Sequence, residues 1–331
     1  MVTGDLHRYV SGIHDGIPHY SAVMPSTYIG GYGNPNTLTQ TLTLDFSVRD
    51  ALLTILLSGR DLRWRGFMWR VSLGRVTLTR EFKPQVIARS NTSSRAAIVF
   101  DVSKIVGEAG KYEVKVMCES AEPVRVDSIS ILGIHPLEGV SSEVGYWVGP
   151  LGVEGGEDYS LDLGNEFVGE SQLQLTITAR SRSSRTEVAV GDFKGDISNI
   201  LGTDSATLKL QLKSKHSTLK LRHDGPSHIY IDEVIYYKPL SEGPVLELSD
   251  ITLQGGKVSM TLRNKGSSPA PKALIVGISA GIPVFRGTVG KIEAGASKEL
   301  VFKASSEVKR PLIIRLIYHG VWGQEVKTYP L

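Results

Sequence analysis

The chain has 331 residues, of which 41% are hydrophobic and 21% charged, with 35 glycines. That composition fits an ordered, turn-rich globular protein with two or three cores and excludes collagen-like and disordered classes. With 37 basic against 34 acidic residues the formal charge is +3, too near neutral for a dedicated nucleic-acid or membrane-surface binder.

Residues 1–20 read as a polar N-terminal arm. Asp5, His7, Arg8, His14, Asp15 and His19 keep it from being the apolar core of a secretory signal. Its apolar-polar patches, residues 6–10 and 13–20, are expected either to pack on their own domain or to add a strand to a neighbour's sheet. From residue 21 the pattern alternates with period 2. Strands are expected over residues 28–30, 40–48, 52–57, 67–73, 95–100, 112–118 and 124–132, with one short helical turn over 102–106. The same order returns over 146–148, 159–163, 173–179, 186–190, 207–212, 218–222 and 229–237. The turn returns as well, because Asp101-Val-Ser-Lys-Ile-Val-Gly107 is matched by Asp196-Ile-Ser-Asn-Ile-Leu-Gly202. The longest apolar run, residues 51–57, is far short of the ~18 residues needed to span a bilayer as a helix.

Two strand pairs carry the duplication most clearly. Val114 and Leu219, Val124 and Ile229, Asp127 and Asp232, and Ile131 and Tyr236 are each separated by 105 residues (219 − 114) without a gap. In both copies the inward face slips at the aspartate: Val124 and Val126 give way to Ile129 and Ile131, as Ile229 and Ile231 give way to Val234 and Tyr236. One extra residue that flips a strand's inward face is a β-bulge, expected at Asp127 and at Asp232. Cys118, the only cysteine, aligns with His223; no intrachain disulfide is possible, and Cys118 is expected as a small buried hydrophobe.

Pro239-Leu-Ser-Glu-Gly-Pro244 cannot continue a ladder and reads as a linker. Beyond it, strands over 245–248, 251–253, 257–262, 273–278, 284–289, 298–302, 312–318 and 324–329 follow the rhythm of an immunoglobulin-like sandwich. The fold class is therefore all-β: an arm (1–20), two tandem jelly-roll β-sandwiches (21–138 and 139–240) and a C-terminal immunoglobulin-like β-sandwich (244–331).

Thr218-Leu-Lys-Leu-Arg-His-Asp-Gly with Ile229-Tyr-Ile-Asp-Glu-Val resembles the closing strands of galactose-binding-like jelly-roll domains, over roughly residues 21–240. Val258-Ser-Met-Thr-Leu-Arg-Asn-Lys-Gly with Ile292-Glu-Ala-Gly-Ala-Ser-Lys-Glu-Leu-Val-Phe resembles the CARDB type of immunoglobulin-like domain found in archaeal and bacterial cell-surface proteins. The second likeness implies adhesion or spacing. The first implies a structural calcium near Asp127 and Asp232, the only candidate cofactor; the alternative is that each aspartate satisfies backbone groups exposed by its bulge.

No metalloprotease, nucleophile-elbow, phosphate-loop or dinucleotide signature is present. His7, His14 and His19, and His216, His223 and His228, cluster in sequence without metal-ligand spacing, and His223 shares a face with Leu219 and Leu221, as a packed histidine would. The candidate ligand-binding residues are Trp64 with Arg63 and Arg65, in the arginine-aromatic stretch 60–70 that has no counterpart in the second copy, and the loop aromatics Tyr146 and Trp147; aromatic stacking beside cations suits a sugar ring or a single-stranded base, the alternative being a solvated basic loop. Asn91-Thr-Ser93 is a glycosylation sequon.

These features lead to the expectation of a non-enzymatic structural or interaction protein of the cell surface, self-assembling into filaments or a surface layer by β-strand addition with other subunits as partners. The alternative is a carbohydrate-binding accessory protein with a glycan partner. Neither nucleic acid nor a transmembrane segment is expected. Location follows the start site: extracellular or cell surface if Met1 is not the native start, otherwise cytoplasmic.

Overall fold

Period-2 alternation and frequent turn residues produce an all-β chain, with 25 strands among its described residues. The computed structural model describes residues 2–60, 67–81, 83–89, 93–305, 308 and 310–331, leaving aside the side chains of residues 165–167, 214 and 216. Among these residues there is no helix, and so no helix long and apolar enough to cross a membrane. The chain divides into two compact units. The first comprises Met1–His14, Pro18–His135 and Glu143–Lys238; the second comprises Asp15–Ile17, Pro136–Ser142 and Pro239–Leu331.

The first unit begins with β1 (Thr3–Gly4), β2 (His7–Asp15) and β3 (Ile17–Val23) from the N-terminal arm. β4 (Thr27–Ile29), β5 (Thr37–Leu44), β6 (Arg49–Gly59), β7 (Met68–Leu73), β8 (Val76–Thr79), β9 (Val86–Arg89), β10 (Ser94–Asp101), β11 (Gly110–Glu119) and β12 (Val124–His135) follow. They form a sandwich. One sheet has the order β3-β12-β6-β10-β9, with β4 also on β12; the other is β5-β11-β7-β8. Leu53, Ile55 and Leu57 of β6 meet Trp69, Val71 and Leu73 of β7 and Val114, Val116 and Cys118 of β11 in one core. Each such side chain is worth about 1.5–3 kcal/mol of burial. Residues 102–106 form a single turn closed by Val106 N donating to Val102 O at 2.9 Å. Asp101 caps it, its Oδ1 accepting from Ser103 N at 3.0 Å and from Ser103 Oγ at 2.6 Å.

The second sandwich contains β13 (Ser141–Val153), β14 (Asp158–Ala179), β15 (Arg185–Val190), β16 (Phe193–Ser198), β17 (Gly202–Asp224) and β18 (Ile229–Pro239). Four strands expected separately, over 159–163, 173–179, 207–212 and 218–222, are joined pairwise into the two long strands β14 and β17. These pair along their length, from Asp158↔Arg222 to Ala179↔Gly202. The register shifts between Asp162 and Gly169, where Gly164 and Gly169 both take φ of 88°, open to glycine at little cost. Leu161, Leu173, Leu212 and Leu221, from both ends of the pair, share one core. A single sheet, β1-β13-β18-β14-β17-β15-β16, therefore doubles over itself to make both layers. The helical turn expected over 197–201 does not form: Ile197 and Ser198 pair with Thr186 and Arg185 across the β15–β16 hairpin, which satisfies the backbone that a turn would otherwise close.

Both predicted bulges are present. β12 against β6 shifts register between Val126 and Ser128, leaving Asp127 as the extra residue; β14 against β18 shifts between Thr176 and Ile177, leaving Asp232. The bulged sheets of the two sandwiches pack through Leu56, Ala97, Val99 and Leu132 against Tyr146, Val148 and Ile235. This second contact face explains why residues 51–57 read as a continuous apolar run: β6 is buried on both sides. The arm joins the same structure, since β1 and β2 pair with β13 and β3 pairs with β12, while Leu6 enters the second core and Tyr9, Val10 and Tyr20 cover the contact cluster.

The second unit holds β19 (Leu246–Gln254), β20 (Lys257–Asn264), β21 (Ala273–Ser279), β22 (Ile282–Val289), β23 (Ser297–Lys303), β24 (Leu312–Gly320) and β25 (Gly323–Pro330). Its sheets are β19-β20-β23 and β22-β21-β24-β25, closed over Leu262, Ile275, Ile314 and Leu316. The strands expected over 245–248 and 251–253 are one strand, β19, with a register shift between Ser249 and Thr252.

Candidate functional site: an arginine-lined cleft

The two bulges turn Asp127 and Asp232 toward the same cation. Arg95, the second residue of β10, is 3% exposed and donates from Nη2 to both carboxylate oxygens of Asp232, at 3.1 and 3.0 Å. The same nitrogen lies 3.4 Å from Asp127 Oδ2. Thr178 Oγ1 accepts from Arg95 at 3.0 Å and donates to Asp232 at 2.6 Å, and the guanidinium lies 4.6 Å from the centre of the Tyr230 ring. Arg125 donates to Asp127 Oδ1 at 2.6 Å. Burial pushes the Asp232 carboxyl up to about 6, against the opposing pull of Arg95 and Thr178.

Beside this group, Glu233 is buried with no cation against it in the described ion pairs. Tyr20 Oη donates to it at 2.6 Å and Ser130 Oγ at 2.7 Å, and Tyr146 Oη is a third donor. Burial, and then the neighbouring Glu233, hold the Tyr20 and Tyr146 hydroxyls well above the usual tyrosine range. Tyr146 also shares a hydrogen bond of 2.8 Å with Thr54.

Above Arg95 opens a cleft of about 1120 Å³ within the first unit. Arg60 from the end of β6, Arg125 from β12 and Arg180 after β14 converge on it, together with Tyr28, Tyr230, Glu122 and the hydroxyls of Ser58, Ser93 and Thr178. Arg180 is exposed and donates to Ser93 Oγ at 3.1 Å. Forked guanidinium groups with hydroxyls around them recognise carboxylate, sulfate or phosphate oxygens.

The residues singled out from sequence fare differently. Asp127 and Asp232 turn their oxygens to arginine and threonine donors. Tyr146 and Trp147, expected as loop aromatics, are corrected: both lie on β13 at 0% and 2% exposure, one bound to Glu233 and the other in the second core, so neither presents a face to a ligand. Arg63, Trp64 and Arg65 lie outside the described residues, as do Asn91 and Thr92 of the sequon. Cys118 is buried beside Ser120, and burial pushes its thiol up. His223 is fully buried, its ring nitrogens 3.2 and 2.7 Å from the carbonyl oxygens of Arg185 and Ser227. Arg95, Arg125 and Arg180 were not singled out, and Arg60 only as the first residue of the stretch that carries Trp64. Of the other three, Arg95 alone left a trace, as a charge opening the otherwise apolar stretch over 95–100.

No protein-family model and no curated protein sequence matches the chain. Among solved structures, it is similar to the glycoside hydrolase domain of Endo-D from Streptococcus pneumoniae R6, with 10% identity over 58% of this chain and 33% of that one at a TM-score of 0.22. It is similar to a β-glucuronidase from Ruminococcus gnavus at 9% identity over 57% and 36%, TM-score 0.20. A peptide-N(4)-(N-acetyl-β-D-glucosaminyl) asparagine amidase matches at 10% identity over 66% and 95%, TM-score 0.26. The chain thus spans about a third of the length of the first two. These matches are carbohydrate-directed enzymes, which runs against the expectation of a non-enzymatic, self-assembling surface protein. The arm gives a physical reason for the second part of that correction: its strands are already paired with β12 and β13 of their own unit.

Proposed function

We propose that the cleft binds an anionic carbohydrate, its acidic group held by Arg180, Arg60 and Arg125 and its hydroxyls by the serine and threonine rim. The observation that carries this reading is the convergence of these arginines, distant in sequence, on one hydroxyl-lined opening. No described carboxylate pairs with Arg60 or Arg180, which therefore lead the recognition, whereas Arg125 already shares its charge with Asp127 and Arg95 is consumed beneath the floor by two aspartates. The likeness of residues 21–240 to galactose-binding-like jelly rolls is part of the same proposal. A panel of uronate, sulfated and neutral oligosaccharides, titrated calorimetrically against the full chain, tests it. Acidic members bind and neutral ones do not, and Arg180→Ala weakens binding. Equal affinity for neutral sugars, or no effect of Arg180→Ala, overturns it. Mass spectrometry of the same mixtures reports whether bound oligosaccharides are cleaved.

A further inference from the structure

Tyr32 is the most exposed large hydrophobic side chain among the described residues, at 104%, and its backbone is held. β4, whose Tyr28 lines the cleft, runs directly into Gly30-Gly31-Tyr32-Gly33, and the three glycines take φ of 67°, 67° and 82°. Gly30 N donates to Pro35 O at 2.9 Å and Gly31 N to Ser120 O at 2.8 Å. A Cβ on Gly31 would sit 2.7 Å from the nitrogen of Pro123, itself a cleft-wall residue. Tyr32 therefore stands one residue, ~3.8 Å of backbone, beyond a point clamped against that wall.

A fully hydrated aromatic ring on a clamped backbone loses little conformational freedom when a ligand covers it, and tyrosine supplies contact area with only two side-chain torsions. The cleft, at about 1120 Å³, lies just above the ~300–1,000 Å³ range of small-molecule sites, so it has room for more than one sugar ring. We propose that Tyr32 is a stacking platform for the sugar next to the acidic one, making the ligand an acidic oligosaccharide of at least two units. This inference rests on the cleft being the carbohydrate site. The arginines fix the charged sugar, and the apolar face of its neighbour lies on Tyr32.

The test measures affinity for galacturonic acid as mono-, di- and tetrasaccharide with the full chain and its Tyr32→Ala, Tyr32→Phe and Arg180→Ala variants. Removing a fully exposed ring leaves folding unchanged, which thermal unfolding verifies. Wild type is expected to gain affinity from mono- to tetrasaccharide. Tyr32→Ala loses about tenfold on the tetrasaccharide, the ~1.4 kcal/mol of a ring contact, with the monosaccharide unchanged within twofold. Tyr32→Phe keeps the wild-type ladder, and Arg180→Ala weakens every length alike. If Arg180→Ala weakens binding while Tyr32→Ala matches wild type at every length, the platform is wrong and the cleft reading stands. If wild type binds none of the three, the cleft reading falls and the platform with it.

Discussion

Asp127 and Asp232, at matching bulges 105 residues apart (232 − 127), both close on Arg95 Nη2, at 3.4 and 3.0 Å. The duplication that made two equivalent aspartates thus ends in one shared cation, which lies where the two sandwiches pack. Arg95→Met leaves both carboxylates buried without it. Breaking such a group by removing one partner costs about 3–5 kcal/mol, so chemical denaturation of the full chain should show the first unit unfolding at markedly lower denaturant. The Arg95→Met, Asp127→Asn, Asp232→Asn triple variant should recover most of that loss.

Asp232 also makes stability depend on pH. Its carboxyl keeps its proton up to about 6 in the folded chain, against an ordinary value of 3.8, so between these values the folded state holds more protons than the unfolded one. Stability from this group therefore falls as pH rises from about 4 through 6, by about 3 kcal/mol at 1.36 kcal/mol per pH unit. Unfolding free energies measured from pH 3.5 to 7.5 should show this slope in wild type, and Asp232→Asn should flatten it.

Glu233→Gln keeps the shape but swaps one acceptor oxygen for an NH2 group facing the hydroxyls of Tyr20, Tyr146 and Ser130. Losing one buried acceptor costs about 1–3 kcal/mol. A lower midpoint in thermal unfolding, with Tyr20→Phe giving a smaller decrease in the same direction, checks it.

The arm is structural. Removing residues 1–14 takes away the strands on β13 and withdraws Leu6 from the second core. Burial of one leucine is worth about 1.5–3 kcal/mol, and Tyr9 and Val10 add to it. The truncated protein should unfold at least about 2 kcal/mol more easily, while light scattering gives the same particle mass as for the full chain.

What the sequence shows and hides follows from distance along the chain. The bulges at Asp127 and Asp232 were legible because they reverse a period-2 pattern within ten residues, a local event. The paired strands of the immunoglobulin-like unit were legible for the same reason. The cleft was not: Arg60, Arg95 and Arg125 meet only when β12 and β10 pair on either side of β6 at Ser58, and Arg180 joins them only from the second sandwich. Tyr146 and Trp147 misled because Gly145, Gly149 and Pro150 give their surroundings the look of a loop, whereas Gly145 is small to admit the Trp147 ring, 2.4 Å from where a Cβ would stand. Separate strands were expected over 159–163 and 173–179, yet Gly164 and Gly169, both at φ of 88°, lie within β14 without ending it.

The long β14–β17 hairpin has a consequence for how the second sandwich comes apart. Each of its strands belongs to both layers, so prising the layers open tears the same ladder that joins Asp158 to Arg222 and Ala179 to Gly202. Amide exchange along β14 and β17 should therefore report one shared opening free energy from end to end, as a single foldon, and a steady pull on the chain should find one rupture event there instead of two.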